Sequence, residues 1–282
     1  MALDKITLTS GMRKNLFSLQ NTQKMMELTQ NRLATGLRVR NAIDDPVNYF
    51  TALGHRQRAE DLASRKDEMA ESIQLVTAAN EGVEAITALI ASAKSLASSA
   101  LSGSTTSEIN TLYNQYKEVL CQIDFLAADS GYKGVNLLDG TSVTHEIKFD
   151  ETGDSSLTIT GFDASALGAT LSLSTHGTNA WVSDGGTADK AEINSAITKL
   201  DNARSALRTE AQKLSTHLST INIRQDFTAG MINTLEDGAA NLTNADMNEE
   251  GANMLMLQTR QALGTTSLSL ASQAAQSVLR LF

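Results

Sequence analysis

The chain has 282 residues, a formal net charge of −9 and an aromatic content of only 4%. This negative charge disfavours nucleic acid as the main partner, because neutralising phosphates requires clustered Lys and Arg. The single cysteine, Cys121, excludes a disulfide framework within these residues. No apolar run resembles a signal peptide or a membrane span, so we expect a chain that is cytoplasmic or is exported without a cleaved signal.

The first half of the chain contains three amphipathic stretches in which apolar residues recur at steps of three and four. This spacing predicts helices that pack along heptad seams. The first seam runs from Met12 to Leu37 and includes Gln23 and Gln30. The second stretch follows Pro46, the single proline. The seam of the third is Ile109, Leu112, Tyr116, Val119, Ile123 and Leu126. The spine of the second stretch repeats every seven residues: Leu62, Met69, Val76, Val83, Ile90 and Ala97.

A region rich in Gly, Ser, Thr and Asp begins near Ser130. Within it, "HEIKFD" (145–150) and "SLTITGF" (156–162) alternate apolar and polar residues. That alternation predicts two strands joined by the turn "ETGDS".

Two further helical stretches complete the chain. One begins near Asp189 and keeps its apolar register from Ile193 to Leu235, where "EDGAANLTNAD" (236–246) is expected to interrupt it. The last runs from Met254 to Phe282. The longest predicted helices have roughly 45–50 residues and would be about 70 Å long, which exceeds the diameter of a small globular domain. The sequence therefore predicts a mainly α fold: a long antiparallel helical rod or coiled-coil bundle with a small β-hairpin region, in which the N- and C-terminal helices pair.

Residues that could support catalysis or bind a metal are scattered. His55, His145, His176 and His217 lack the spacing of metal ligands, and no histidine lies near Cys121 in sequence. "GYKGVNLLDG" lacks the Gly-Lys-Ser/Thr ending of a phosphate loop. We therefore expect neither enzymatic activity nor a cofactor.

The two ends of the chain resemble the signatures of the bacterial flagellin family. "SLQNTQKMMELTQNRLATGLRVRNAIDDP" (18–46) combines a Leu/Gln heptad helix, an L-x-x-G-L-R-(I/V) turn and Asp-Asp. The C-terminal stretch contains "ADMNEE", "LQTRQALG" and "ASQAAQSVLRLF", in the order of the family's C-terminal signature. The resemblance implies a structural subunit that polymerises into the extracellular bacterial flagellar filament for swimming motility.

The resemblance also implies how the chain is divided. Residues 1–42 and 243–282 would pair as an inner tube domain, and 47–235 would form an outer rod domain with its β-region at about 131–188. Residues 43–46 and 236–242 would be joints between tube and rod. The seam residues expected to bury the tube core are Leu16, Leu19, Met26, Leu33, Leu37, Met254, Leu257, Leu268, Val278 and Phe282.

An arginine cluster precedes the first joint and allows three interpretations: a nucleic-acid arm, a solvated charged face or part of the joint. If the two ends pack antiparallel, these arginines would lie beside acidic residues of the second joint and could pair with them. Gly36 and Pro46 would interrupt the helix where the chain changes direction. The predicted joint residues are Arg32, Gly36, Arg38, Arg40, Asp44, Asp45, Asp246, Glu249 and Glu250.

The resemblance implies that the main partner is the chain itself, in an open helical homopolymer. It further implies an export chaperone on the C-terminal helix, contacts with filament cap and hook-junction proteins, and export through the flagellar secretion apparatus. Membrane insertion is not expected, because the last helix carries only Arg260 and Arg280 and many small residues. The alternatives are a hook–filament junction protein of the same superfamily and a closed coiled-coil adaptor.

Overall fold

The computed structural model describes residues 10–173, 181–183 and 186–279. These residues form five helices and one two-stranded sheet, which confirms the mainly helical fold with a small β-hairpin and paired terminal helices. In chain order the elements are α1 (Ser10–Thr35), α2 (Pro46–Ala100), α3 (Thr106–Asp129), β1 (Thr144–Lys148), β2 (Ser156–Thr160), α4 (Lys190–Thr243) and α5 (Met247–Leu279).

The chain divides into two compact units. The first unit comprises the residues up to Gln57 and those from Thr234 onward, and the second unit comprises Arg58–Asn233. Both boundaries fall inside a helix, α2 and α4 respectively. The division into tube, joints and rod that the sequence suggested remains a prediction.

Rows of buried residues spaced by seven build the core of the second unit. The predicted spine of α2 is confirmed, because each of its members from Leu62 to Ala97 is at most 5% exposed. A second buried row of α2 lies three residues after the members of this spine. Together the two rows alternate in steps of three and four, as in a heptad seam. The members of the second row are Ser72, Ala79, Ile86, Ala93 and Ala100. The matching row of α4 is Ile193, Leu200, Leu207, Leu214, Ile221 and Thr228.

Helix α3 buries three of the six residues that the sequence placed on its seam, Ile109, Tyr116 and Ile123. The sequence placed Leu112, Val119 and Leu126 on the seam, but these side chains are only half-buried. The fully buried positions again alternate in steps of four and three, and the prediction chose the neighbouring apolar residue at every second step. They are Ile109, Tyr113, Tyr116, Leu120, Ile123 and Ala127.

An aromatic cluster that the sequence did not suggest lies in the second unit. Trp181 is 2% exposed, and its ring centroid is 5.1 Å from that of Tyr113 and 4.7 Å from that of Tyr116. Burial raises the pKa of Tyr116 to about 12, because the phenolate would lose its hydration. Trp181 therefore belongs to the core although it lies in a segment of low-complexity composition.

The β-hairpin lies at the predicted position. β1 pairs antiparallel with β2, and Ile147 opposite Leu157 and His145 opposite Ile159 are part of the register. The turn is held by Asp150, whose Oδ1 accepts hydrogen bonds from the backbone amides of Gly153 (2.9 Å) and Ser155 (3.1 Å). β1 begins one residue earlier than predicted, and both strands end two residues earlier than predicted.

The expected break of the fourth helix at 236 was wrong. Helix α4 continues to Thr243, and only residues 244–246 separate it from α5. Leu235, Ala239 and Thr243 are buried at steps of four, so the apolar face of the helix continues through this polar segment. One buried face is enough to keep the helix intact across Asp237 and Gly238.

Candidate assembly surface and joint

Helices α1 and α5 pack antiparallel within the first unit. Three side-chain contacts show this direction, because successive positions along α1 contact successively earlier positions of α5. Asn15 Nδ2 donates to Ser267 Oγ at 3.4 Å, Gln261 Nε2 donates to Gln23 Oε1 at 3.1 Å, and Arg32 Nη1 pairs with Glu250 Oε1 at 2.8 Å.

A seam of apolar residues lies between these two helices. Met26 and Leu257 are buried in it. A Cβ added at Gly264 would lie 2.5 Å from Leu19 Cδ1, so the glycine lets the leucine approach the α5 backbone.

The predicted tube-core residues differ in how far the single chain buries them. Leu16 is 37% exposed, whereas Leu19, Leu33, Leu37, Met254 and Leu268 are half-buried. Phe282 and the side chain of Val278 lie outside the described residues. The role of these side chains in a tube remains a prediction.

Helix α5 carries a second apolar seam that sequence reasoning missed. Met256, Leu263 and Leu270 are spaced by seven and are 45%, 66% and 62% exposed. On α1, Phe17 is 65% exposed and borders, with Leu263, a groove of about 570 Å³ between the two helices. The regular spacing was the available signal, since a helix with two heptad seams can pack against partners on two sides.

The segment that follows α1 and the segment that precedes α5 lie side by side. Gly36 has φ +70°, a left-handed conformation that favours glycine and ends the helix. Beyond it, the amides of Arg38 and Val39 both donate to the carbonyl of Thr243, at 2.8 and 3.1 Å. The amide of Ala245 donates to the Gly36 carbonyl at 2.9 Å. The two connecting segments are therefore tied through their backbones.

Among the predicted joint charges, the structure brings Arg32 and Glu250 together. The Glu250 side chain is 8% exposed and that of Arg32 is 29% exposed, so this ion pair is largely shielded from water. Arg38 is exposed, and its Nη2 donates to the Leu242 carbonyl at 3.4 Å. Arg40 and Glu249 are also exposed.

The aspartates of the two joints have backbone partners. Asp45 Oδ1 accepts from the amide of Asn48 at the start of α2, and Asp246 Oδ1 accepts from the amide of Asn248 at the start of α5. These are N-cap contacts, which satisfy helix amides that otherwise have no partner. Asp44 accepts from the amides of Arg40 and Asn41, which lower the pKa of its carboxyl group.

Neither a metal-ligand cluster nor a helix able to cross a membrane is found in the part of the chain that the structure describes. Within residues 10–173, 181–183 and 186–279, no group of three or more His, Cys, Asp and Glu side chains is placed to hold a metal ion. Over the same residues, no helix is both long enough and apolar enough to cross a membrane. Cys121 is exposed on α3, and His176 lies outside the described residues.

The chain matches two family models and full-length relatives. The models are the bacterial flagellin N-terminal helical region, over residues 9–143, and the bacterial flagellin C-terminal helical region, over residues 191–282. Flagellin FljM of Caulobacter vibrioides is 30% identical, and the alignment covers 100% of both chains. The chain belongs to the bacterial flagellin family.

Further relatives are also named as flagellins. Flagellin FljK of Caulobacter vibrioides is 30% identical over 100% of both chains, and a flagellin of Brucella melitensis is 28% identical over 95% of both. The chain is therefore a structural subunit of the extracellular flagellar filament, which assembles from copies of itself. These relatives favour this function over the hook–filament junction protein and the closed adaptor.

Proposed function

We propose that α1 and α5 form the inner tube of the filament, with 1–42 and 243–282 as the tube domain and 47–235 as the rod. Residues 43–46 and 236–242 would be the joints between them, the second as the unbroken last turns of α4. The observation that supports this proposal is the second seam of α5, Met256, Leu263 and Leu270, which is exposed in the single chain. In the tube, this seam would pack against the terminal helices of neighbouring subunits.

Burial of this seam supplies a driving force for assembly. Covering a leucine side chain completely stabilises by about 1.5–3 kcal/mol, and Leu263 and Leu270 are each about two-thirds exposed. Each subunit would contribute both leucines, and the exposed Phe17 and Leu28 of α1 would add further area. Because the contact joins two different faces, it can propagate from copy to copy, and it would build an open filament with a rotation between copies that does not close into a ring.

The joint would transmit the position of the tube to the rod. Arg32 and Glu250 would hold the two segments of one subunit together. The exposed Arg38 and Arg40 would remain available for carboxylates of a neighbouring subunit, such as Glu249. Charge reversal at Arg38 should therefore change the salt dependence of assembly, because exposed ion pairs are screened by salt.

The exposed seam also has consequences before assembly. An apolar stripe of this kind favours uncontrolled association, so a cytoplasmic export chaperone would cover α5. The chain would leave the cell without a cleaved signal, through the flagellar secretion apparatus. Filament cap and hook-junction proteins would then guide its insertion and adjoin the finished filament.

Seeded assembly tests this proposal. Purified monomer is mixed with short filament seeds and sulfate, which strengthens apolar burial, and elongation is followed by negative-stain electron microscopy. Long filaments are expected from the unmodified chain, and Leu263→Ser should reduce elongation strongly. Leu255→Ser is the matched control, since Leu255 is 67% exposed but lies about a quarter-turn away from the seam. Discrete particles of uniform size from the unmodified chain would refute the filament arrangement.

A further inference from the structure

An exposed apolar face lies at the start of α2. Val47 is 73% exposed and Phe50 is 60% exposed, and Gly54 continues the same face one turn later. At about 100° per residue, this face lies opposite the buried Ala52. Among the residues that the structure describes, this face therefore takes no part in packing the helix.

A second face of the same kind lies on α4. Ile223 is 66% exposed, Phe227 is 59% exposed, and Gly230 is the next residue along the face. The opposite side of this helix buries Ile221 and Thr228. Both faces thus present two large apolar side chains followed by an exposed glycine.

The two glycines give a second, independent observation. Glycine is the least favourable residue in a helix interior after proline, and both Gly54 and Gly230 lie inside long helices. A Cβ added at either position would meet no heavy atom of the described residues within 4 Å. Packing around the Cβ position therefore does not require a glycine at either site. Glycine does allow another backbone or a large side chain to approach closely.

The direction of the helices makes the two faces complementary. Within the second unit, α2 and α4 run antiparallel, because Lys94 pairs with Asp201 at 2.7 Å while the carbonyl of Lys66 accepts from Gln225 at 3.5 Å. In an open array all copies point the same way, so α2 of one copy meets α4 of the next in antiparallel orientation. The two faces then match large against small, with Val47 opposite Gly230, Phe50 opposite Phe227 and Gly54 opposite Ile223.

We propose that the α2 face of Val47, Phe50 and Gly54 docks against the α4 face of Ile223, Phe227 and Gly230 on a second copy of the chain. This inference rests on the proposed filament assembly and names one contact within it. The contact is heterologous, since the two faces are different surfaces of the same chain. Each copy would therefore offer one face to each of two neighbours.

A substitution at Gly54 separates folding from docking. Gly54→Leu should leave the monomer folded, because the site is open and leucine favours a helix, and should slow seeded elongation at least tenfold by filling the space for Ile223. Ser215→Leu is the control, because Ser215 is exposed on α4 about a quarter-turn away from the face. Its elongation rate should stay within twofold of the unmodified chain.

A cross-link tests the pairing directly. In a Cys121→Ser background, Val47→Cys combined with Gly230→Cys should give a ladder of disulfide-linked multimers when assembled filaments are mildly oxidised. The same chain kept monomeric should give none. A disulfide requires Cα atoms within about 7 Å, so Val47→Cys with Asn222→Cys should not cross-link. Asn222 is exposed on another side of α4 and lies about two helical turns from Gly230.

The outcomes distinguish this inference from the function on which it rests. If the unmodified chain fails to elongate on seeds, the filament proposal itself fails. If the unmodified chain elongates and Gly54→Leu elongates at the same rate, the docking of these two faces is refuted. A ladder that is no stronger than the Asn222→Cys control would refute it independently.

Discussion

Gly82→Ala tests whether close packing outweighs helix propensity in the second unit. Gly82 lies in the interior of α2, where alanine would be favoured by about 1 kcal/mol at an exposed site. Here an added Cβ would lie 2.8 Å from both Ser130 Cβ and Leu138 Cδ1, and closer still to Ser130 Oγ. Because Cβ of Ser130 is also too close, rotating that side chain does not relieve the clash.

The size of the effect follows from what can move. Ser130 Oγ donates to the Leu126 carbonyl at 2.6 Å at the end of α3, and Leu138 is fully buried, so neither neighbour can shift freely. Overpacking of this kind typically costs about 1–3 kcal/mol. We expect Gly82→Ala to destabilise the unit by roughly 2 kcal/mol, which lowers Tm by about 4–8 °C for a unit of this size.

Thermal unfolding of the monomer measures this change, with the fluorescence of Trp181 as the probe. Trp181 is the single tryptophan and is buried in the second unit. Gly230→Ala in the same unit is the matched control, because its Cβ would meet no described atom within 4 Å and should raise stability by up to about 1 kcal/mol. A Tm of Gly82→Ala equal to or above that of the unmodified chain would refute the packing argument.

Two further predictions concern charged and titratable groups. Arg32→Met should destabilise the joint by roughly 1–3 kcal/mol, because it leaves the buried Glu250 carboxylate unpaired. The double variant Arg32→Met, Glu250→Leu should recover most of that loss, because no unpaired charge remains. Hydrogen exchange of the α1 and α5 amides measures the stability of both variants. Burial lowers the pKa of His145 from its ordinary 6.5, so the unfolded chain binds a proton that the folded chain resists. Stability should therefore fall as pH drops below about 6.5, and His145→Gln should remove that part of the pH dependence in unfolding monitored by Trp181. An unchanged pH profile in His145→Gln would contradict the assignment.

Much of the helical fold could be predicted because it depends on a simple repeat. The spine from Leu62 to Ala97 is buried throughout, since a seven-residue period keeps one face of a long helix against its partner. The phase of a shorter seam is harder to predict. On α3, Leu112 and Tyr113 are adjacent apolar residues, and the sequence alone does not decide which of them faces the core.

The core position of Trp181 could not be predicted from its surroundings. The segment around it is rich in Gly, Ser, Thr and Asp, and local composition there indicates a loop. Tertiary packing against Tyr113 and Tyr116 decides its burial, and these residues are more than sixty positions away. Contacts of that range depend on the fold as a whole and leave no local pattern.

At the joint, the sequence could predict the signs of the charges but not which residues pair. The opposite signs of the two segments were visible, and so was the need for Gly36, whose φ of +70° ends α1. The partner of each charge depends on the antiparallel register of α1 and α5, which places Glu250 beside Arg32. Asp45 and Asp246 instead cap helices, because each directly precedes one and an N-terminal amide is the nearer donor.

The surfaces left exposed carry information that the buried core does not. A seam such as Met256, Leu263 and Leu270 is as regular as a core seam, yet the single chain leaves it in water. Folding of one chain cannot account for that regularity, because a solvent-facing position gains nothing from an apolar residue every seven. Regular apolar spacing on an exposed face is therefore a signal for assembly. In a chain that polymerises, each such face should correspond to a contact between copies.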